Sequence, residues 1–269
     1  MPANAPLRGW CAVGRASDMK VYWAHLGTVE YADGLLLQRN LRARSLAQGS
    51  SFLLLLEHTP TVTLGYRTTQ RSACLLSTDE LRRLGIGVVA TERGGAATYH
   101  GPGQLVVYPL FFLPAWGLGV REFVWRLEEV GIRVASQSGV RAGRKDAYRG
   151  VWVGDKKLGA IGVAIKKRIS FHGLSINVNV DLGPFSYIVP CGLRDKGITS
   201  LKGETGREID MGGVVTCALR AFSEVFEADL EQAPAIVDEA RRRPEGEVHE
   251  RPVGGGDPPG SPACQGSGA

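Results

Sequence analysis

The chain of 269 residues lacks a long apolar run, and its leucine-rich stretch at residues 52–56 is far shorter than a membrane helix of roughly 20 residues. The N-terminus also lacks the apolar segment of a secretory signal, because Gly9, Gly14 and Arg15 interrupt it. Acidic residues are absent from residues 1–17, a weak feature of organelle transit peptides, although no amphipathic helix accompanies it. These absences predict a cytoplasmic protein without a membrane partner.

Cysteine is scarce and scattered. The five cysteines are Cys11, Cys74, Cys191, Cys217 and Cys264, and no two of them form a Cys-x-x-Cys pair. The odd number and irregular spacing argue against a disulfide framework and against a structural zinc site. We therefore predict a reducing compartment and no metal site.

The charge balance is basic, with a net charge of +5 and a pI near 9.0, which favours acidic partners. Basic residues cluster at Arg141, Arg144, Lys145 and Arg149, and again at Lys166, Lys167 and Arg168. A nucleic-acid interface would interleave such residues with several aromatics, and Tyr148 is the aromatic within the first cluster. We predict no nucleic-acid partner. A small acidic carrier protein fits the charge, and so does a solvated basic face.

The order of elements predicts an α+β, or mixed α/β, protein. Strands are predicted at residues 20–26, 51–57, 61–65, 87–91, 105–110, 151–153, 157–165 and 171–180. Helices are predicted at residues 29–48 with Thr28 as N-cap, from residue 77, and at residues 120–137, 214–226 and 236–243, with an irregular link at residues 111–119. Residues 1–18 are predicted to be loosely ordered. Residues 244–269, rich in proline and glycine, are predicted to be a disordered tail, which leaves one domain at residues 19–243.

A glycine-rich stretch at residues 93–104 runs into the predicted strand at residues 105–110. Residues 93–104 are too rich in glycine for a helix and too polar for a buried strand. No Gly-Lys-Ser/Thr follows, so it is not a common phosphate loop. Glycine lets backbone N–H groups approach another molecule closely, and Arg93, Thr98, Tyr99, His100 and Gln104 surround the same opening. On spacing alone, a plain turn between strands explains the stretch equally well.

Two further residues could carry chemistry. Cys191 lies between a proline and a glycine and is therefore predicted to lie on a turn, where a reachable thiol can act as a nucleophile. The alternative is a small buried hydrophobic residue. Lys157 begins an apolar strand and is either an exposed edge charge or an ammonium that favours a neighbouring thiolate. Lys156 should point to the opposite face of that strand.

The string Arg-Gly-Gly-x-x-Thr-Tyr-His-Gly-Pro-Gly-Gln at residues 93–104 resembles the signature of the octanoyltransferases that begin protein lipoylation. Residues 57–65 resemble another block of that family, although His58 is equally explained as a turn residue that bonds nearby backbone. Lys-Leu-Gly-Ala-Ile-Gly, Phe-His-Gly-Leu-x-x-Asn-Val and Pro-Cys-Gly follow in the family's order. The resemblance covers roughly residues 20–230 and implies the fold of biotin and lipoate protein ligases, a central mixed sheet flanked by helices.

The resemblance also implies roles for individual residues. Lys157 and Cys191 correspond to the catalytic pair of the family. Its acyl-binding segments correspond to Arg93, Gly94, Gly95, Ala96, Ala97, Thr98, Tyr99 and His100, to Ala160, Ile161 and Gly162, and to Gly173, Leu174 and Ser175. Tyr99 and His100 either relay protons or are packed, hydrogen-bonded residues.

The implied reaction is a two-step acyl transfer. The Cys191 thiolate attacks an octanoyl thioester on acyl carrier protein, and a lysine of a lipoyl domain then takes the acyl group as an amide. The glycine loop and residues 172–173 are expected to supply backbone N–H groups to the oxyanion. The acyl group arrives activated, so no ATP or other cofactor is expected. The recipients implied are lipoyl domains of 2-oxoacid dehydrogenase complexes and the glycine cleavage H protein.

Two other functions compete with this interpretation. An ATP-dependent lipoate or biotin protein ligase shares the glycine loop and the lysine but needs no cysteine nucleophile. A non-catalytic binder of acidic carrier proteins or of nucleic acid would use only the basic surface.

Overall fold

The computed structural model describes residues 19–66, 68–69, 73–189 and 197–241. Its strands are β1 (Lys20–Val29), β2 (Ser51–His58), β3 (Thr61–Leu64), β4 (Gly87–Ala90), β5 (Thr98–His100), β6 (Gln104–Leu110), β7 (Gly143–Lys145), β8 (Tyr148–Val153), β9 (Lys156–Lys166), β10 (Ile169–Asn177), β11 (Gly197–Ile198) and β12 (Asp229–Gln232). Its helices are α1 (Tyr31–Gln48), α2 (Thr78–Arg83), α3 (Val120–Gln137), α4 (Leu201–Thr205), α5 (Met211–Phe226) and α6 (Pro234–Arg241). Residues 1–18, Cys191 and the tail from residue 244 lie outside the described residues.

A nine-stranded sheet organises the described residues, in the order β12-β1-β2-β6-β10-β9-β8-β7 with β11 beside β9. β1 pairs in parallel with β2 and β12, whereas the ladders that join β2, β6, β10, β9 and β8 are antiparallel. Strands β2, β6 and β10 are almost completely buried, as expected for central strands covered on both faces. The predicted mixed sheet flanked by helices is confirmed.

Each face of the large sheet carries its own apolar core. On one face, α3 and α5 pack over residues such as Leu105, Leu174 and Ile176, and both helices have the apolar stripe that such packing requires. On the other face, α1 and α6 cover Phe52, Leu54 and their neighbours. Burial of these aliphatic and aromatic side chains supplies the main driving force for folding.

A second sheet of three strands, in the order β4-β3-β5, lies beside the first and has an apolar cluster of its own. Helix α2 packs there through Leu81, and it begins with a capping box in which Ser77 and Glu80 bond each other's backbone N–H groups. The prediction that a helix opens at residue 77 is confirmed. The small sheet matters because β5 is the middle part of the glycine-rich stretch.

The predicted N-terminus of α1 is wrong. Thr28 is not an N-cap but belongs to β1, because Thr28 and Val29 continue the parallel ladder with Glu57 and His58. The helix begins only at Tyr31. His58 is likewise not a turn residue: it ends β2 and is fully buried.

Other differences concern short or polar elements. Residues 98–100 form strand β5 instead of a loop, since they pair with β3. Residues 111–119 include a 3-10 turn, Leu113–Trp116. Helix α5 begins upstream of its two glycines because the Asp210 carboxylate accepts both of their N–H groups. Strands β7, β11 and β12 were not predicted, because they are short and have no apolar alternation.

Candidate active site

A cavity of about 530 Å³ lies where the hairpin of β9 and β10 faces the glycine-rich stretch. Residues far apart in sequence meet there for two reasons. Strands β9 and β10 are adjacent and antiparallel. The glycine-rich stretch is joined to β9 because the Gly94 N–H donates to the Val163 carbonyl at 2.9 Å. One end of the cavity includes Lys157 and the exposed residues Tyr148 and Arg149. Another part of its wall is formed by the buried residues Tyr108 and His172.

Arg93 fixes the position of the glycine-rich stretch. Its side chain is buried, and its guanidinium donates to the Thr63 carbonyl at 2.7 Å, to the Thr63 hydroxyl at 2.8 and 3.2 Å, and to the Gly94 carbonyl at 3.1 Å. Charge-assisted hydrogen bonds of this kind are stronger than neutral ones. Arg93 therefore ties the stretch to β3 while it lines the cavity.

Gly65 makes the close approach of this stretch possible. A Cβ atom on Gly65 would lie 1.8 Å from the Gly95 carbonyl oxygen and 3.1 Å from that of Arg93. The Gly65 N–H also donates to the Ala96 carbonyl at 3.2 Å. The backbone of residues 93–96 is thus packed directly on the end of β3, and only glycine fits between them.

Replacing Gly65 with alanine is therefore expected to displace the stretch and to lower the free energy of unfolding by about 3 kcal/mol. Gly119→Ala is the matched control, because no atom lies within 4 Å of its added Cβ and its φ is −83°. Urea unfolding of both variants measures the difference. Equal stability of the two would contradict the close packing of residue 65.

Lys157 and Lys156 point to opposite faces of β9, as predicted. Lys156 Nζ pairs with Glu204 Oε1 at 3.1 Å and its side chain is 58% exposed. Lys157 is half-buried, lines the cavity, and places its Nζ 5.0 Å from the centre of the Trp152 ring. Gly150 leaves room for the Lys157 stem, since a Cβ there would lie 3.2 Å from Lys157 Cε.

A short polar framework holds the strand beside Lys157. The Thr199 N–H donates to the Lys157 carbonyl at 3.0 Å, and Asn177 Nδ2 donates to the Thr199 carbonyl at 2.9 Å. Strand β11 pairs in parallel with the start of β9, with Ile198 opposite Lys157. The chain segment that follows Cys191 therefore returns alongside this lysine.

Buried aromatic and polar side chains form another wall of the cavity. His58 supports this wall without lining the cavity: its Nδ1–H donates to the Val29 carbonyl at 2.9 Å, and Nε2 of the neutral ring accepts from the Tyr108 hydroxyl at 2.8 Å. His100 bonds Gln104 Oε1 through Nδ1 at 2.7 Å, and the Tyr31 ring stacks on it with centres 5.7 Å apart. The sequence left two roles open for His100, and its geometry is that of a packed, hydrogen-bonded residue.

Burial keeps these histidines neutral. It lowers the pKa of His58 from 6.5 to about 4, and it lowers the pKa of His100 well below 6.5 with help from neighbouring His58 and Arg93. Burial, reinforced by Arg93, lowers the pKa of His172 to about 3. The same desolvation raises the pKa of Tyr31 to about 12. At neutral pH these groups are therefore uncharged.

His172 has an unusual backbone. Its φ is +57°, in the left-handed region that non-glycine residues rarely adopt within a strand. Its N–H donates to Gln38 Oε1 at 2.7 Å, and Gln38 is itself buried. Regular alternation would place His172 on the face of Leu174, but its ring lies 4.7 Å from that of Phe171, centre to centre. The left-handed backbone thus turns the imidazole toward the face that carries the cavity.

Comparison with known proteins decides the family. The family model of the lipoyl protein ligase A/B catalytic domain matches residues 30–223. The chain is 43% identical to an octanoyltransferase of Caldicellulosiruptor saccharolyticus over 78% of this chain and 90% of that relative. It is 44% identical to the mitochondrial octanoyltransferase LIP2 of Arabidopsis thaliana, over 74% of this chain and 87% of that relative. The chain belongs to the octanoyltransferase family.

Solved structures resemble this octanoyltransferase-family chain in fold. A lipoate-protein ligase A bound with ATP matches with a TM-score of 0.67 at 15% identity, over 82% of this chain and 92% of that one. A bipartite lipoate protein ligase of Thermoplasma acidophilum, studied with its E2 lipoyl domain, matches with a TM-score of 0.67 at 17% identity, over 83% and 91%. The ligase-like fold predicted from the sequence is therefore confirmed.

Most residues that the family resemblance singled out converge on the cavity. Those that line it are Lys157, Arg93, Gly94, Gly95, Ala97, Thr98, His100, Ala160, Ile161, Gly162, Gly173, Leu174 and Ser175. Ala96 and Tyr99 do not line it: Ala96 bonds Gly65, and Tyr99 is buried against the Phe185 ring. Cys191 lies outside the described residues. The roles of all these residues remain predictions.

The expected oxyanion donors need correction. The His172 N–H is not available to an oxyanion because Gln38 accepts it, and the Gly94 N–H is taken by the Val163 carbonyl. Sequence reasoning also missed Tyr31, Tyr108 and Asn177, which line the cavity from α1, β6 and β10. Only Asn177 had a local signal, since it lies in the block Phe-His-Gly-Leu-x-x-Asn-Val.

In the part of the chain that the structure describes, no group of three His, Cys, Asp or Glu side chains is placed to hold a metal ion. Among the same residues, no helix has the length and apolar character needed to cross a bilayer.

Proposed function

We propose that this chain transfers an octanoyl group from a carrier thioester through Cys191 to a lysine of a lipoyl domain. One observation supports this proposal above the others. The half-buried ammonium of Lys157 lines the same cavity as most of the acyl-binding segments, and β11, just after Cys191, pairs beside it. Phe185 and Ile198, which flank the cysteine on either side in sequence, also line that cavity.

The first step forms the enzyme thioester. The Cys191 thiolate attacks the octanoyl carbonyl, a carbon–sulfur bond to the enzyme forms, and the bond to the carrier sulfur breaks. The carrier leaves as a thiolate and takes up a proton. In the second step the amine of a lipoyl-domain lysine attacks the enzyme thioester, loses a proton and keeps the acyl group as an amide. Cys191 returns to its thiolate form.

Lys157 makes the first step possible in this proposal. A thiol of ordinary pKa is only a few per cent ionised at neutral pH, and the thiolate is the nucleophile. An ammonium beside the sulfur favours the thiolate by Coulomb attraction. The half-buried setting of Lys157 supports this role, because water screens a half-buried charge less than an exposed one.

The proposed partners are proteins that carry or receive the acyl group. A lipoyl domain is the acceptor, such as those of 2-oxoacid dehydrogenase complexes or the glycine cleavage H protein. An acidic acyl carrier protein is the donor, and the net charge of +5 would attract it. Arg149 is 57% exposed and lies on the rim beside Lys157, where the carrier's thioester would enter. We assign the catalytic domain to residues 19–243.

Transfer without ATP is the test of this function. Purified protein, octanoyl carrier protein and a lipoyl domain should give an octanoylated domain in the absence of ATP. Intact mass should show an octanoyl adduct of the enzyme that peptide mapping assigns to Cys191. A strict need for ATP with free octanoate or lipoate would identify a ligase instead. Unchanged rescue of a lipoylation-deficient strain by Cys191→Ser would favour a non-catalytic binder.

A further inference from the structure

Trp152 is buried outside the apolar cores. It is 2% exposed, yet none of the three apolar clusters of the described residues includes it. Its ring lies beside cationic and polar groups instead. The Lys157 ammonium is 5.0 Å from the ring centre, the Lys145 ammonium is 5.4 Å from it, and the centre of the Tyr148 ring is 6.1 Å away. Core packing therefore does not explain this indole.

The strand register places Trp152 directly opposite Lys157. One step earlier in β8, Val151 is opposite Gly159, which in a regular antiparallel pair would set Trp152 against Leu158. A bulge at Leu158 shifts the register so that Lys157 takes that position. Bulges re-aim side chains and are frequent beside active sites. The indole and the lysine are thus cross-strand neighbours on one face of the sheet.

The indole suits the task of holding a cation whose charge is needed elsewhere. Its Nε1–H donates to the Tyr148 carbonyl at 3.1 Å, which fixes the orientation of the ring. Tryptophan offers the strongest π face for a cation, and the attraction grows where water is excluded. A carboxylate would attract the ammonium as well, but its negative charge would oppose the ammonium's effect on a neighbouring thiolate. An indole carries no net charge and has no such effect.

We propose that Trp152 is a positioning residue, whose π face holds the Lys157 ammonium at the cavity and leaves its positive charge to act on the sulfur. This inference rests on the proposed role of Lys157 in thioester formation and deepens it. Trp152 is not among the described residues that line the cavity, so it acts through the lysine. Without the π face, the flexible lysine stem spreads over more positions and favours the thiolate less.

Other charged groups surround this pair. Lys145 pairs with the Asp155 carboxylate, and the Arg149 guanidinium lies 3.9 Å from an oxygen of buried Glu128. Arg93 lines the same cavity. These groups all influence how the sulfur ionises. They are identical in every variant of the test below, so differences between its members report on the indole alone.

The test replaces Trp152, by site-specific incorporation, with tryptophan analogues that carry one to four fluorine atoms. Fluorine withdraws electrons from the π face and nearly keeps the shape of the indole, so packing changes little. At neutral pH the rate of octanoyl-enzyme formation should fall stepwise with fluorine number, by about tenfold for the tetrafluoro analogue. The rates should converge at high pH, where the thiol ionises without the ammonium. A purely structural role of the indole would give no such dependence on pH.

The same analogues at Trp125 are the matched control. The Arg144 guanidinium lies 4.2 Å from the centre of that ring, and Trp125 does not line the cavity. They should leave the rate unchanged. Alkylation of Cys191 by iodoacetamide, assigned by peptide mass, needs no acyl transfer and should follow the same order in the Trp152 series.

A rate and an alkylation that do not vary with fluorine number at Trp152 would overturn the inference alone, because octanoyl transfer would still occur. An equal response at Trp125 would overturn it too. Absence of octanoyl transfer by the wild-type protein would instead overturn the proposed function, and the alkylation series would then still decide the role of Trp152.

Discussion

Replacing Lys157 with alanine is expected to slow formation of the octanoyl enzyme by about a hundredfold at neutral pH. A cation within about 4–6 Å of an ionisable group shifts its ionisation by one to three powers of ten, and removing the cation returns the sulfur to the thiol form. The rate of the variant should therefore rise with pH, because a larger fraction of the sulfur is deprotonated at high pH even without the ammonium. Intact-mass kinetics with octanoyl carrier protein, measured across pH, gives the profile.

Two further variants separate charge from packing. Lys157→Met keeps an unbranched apolar stem beside the Trp152 ring and Gly150 but removes the ammonium. It should be as slow as the alanine variant if the charge matters. Lys156→Ala loses only an exposed pair with Glu204, which contributes little to stability. Its rate should stay within about twofold of wild type. Equal slowing by Lys156→Ala and Lys157→Ala would contradict the assignment of the two faces.

A second readout avoids the carrier protein. Alkylation of Cys191 by iodoacetamide depends on the thiolate and not on docking, so it should show the same dependence on pH. If Lys157→Ala slowed acyl transfer but left alkylation unchanged, the lysine would act on the substrate or the carrier and not on the sulfur.

The sequence predicts which residues lie together where a local motif carries the information. Strands β9 and β10 follow each other in sequence, so their family blocks necessarily become neighbours across the hairpin. The opposite orientation of Lys156 and Lys157 follows from the two-residue period of any strand. Apolar periodicity likewise predicted both boundaries of α3, Val120–Gln137, because its stripe faces a well-defined core.

The meeting of three buried histidines could not be predicted in this way. His58, His100 and His172 come from β2, β5 and β10, and no sequence spacing indicates that they converge. The orientation of His172 in addition violates strand alternation, since a buried glutamine on α1 holds its backbone in the left-handed region. Contacts across such distances depend on tertiary packing, which propensity and periodicity do not encode.

Unfolding experiments in mild acid should show a large loss of stability. Between pH 7 and pH 5 the free energy of unfolding is expected to fall by several kcal/mol. The reason is that His58, His100 and His172 all have pKa values lowered by burial in the folded protein. In the unfolded chain each returns to an ordinary value near 6.5 and binds a proton as the pH falls.

The direction follows from proton linkage. Below about pH 6.5 the unfolded chain holds more protons than the folded protein, so stability rises with pH and is fully present above that value. It is lost as pH falls, until the folded pKa of about 4 for His58 or about 3 for His172 is reached. Each histidine contributes about 1.4 kcal/mol per pH unit within this window, hence about 2 kcal/mol at pH 5. Together they cost about 6 kcal/mol at most, a large share of ordinary domain stability.

The pH window separates the histidines from the carboxylates. Glu80, Glu92, Glu129 and Glu204 have pKa values lowered by hydrogen bonds and neighbouring cations, so their contribution is lost only below their ordinary value of 4.5. Urea unfolding at half-unit steps from pH 7.5 to pH 5 is expected to give a slope that approaches three protons at its lower end. His172→Gly should reduce that slope by about one proton.

A stability that stayed flat from pH 7 to pH 5 would mean that the folded protein takes up protons as readily as the unfolded chain. Imidazolium ions would then have to form beside the Arg93 guanidinium, in a region where His58 and His100 are at most 5% exposed. Such charges are strongly disfavoured without carboxylate partners. The histidines are therefore neutral because of the same packing that shapes the cavity. In acid, protonation of the histidines should accompany loss of that packing.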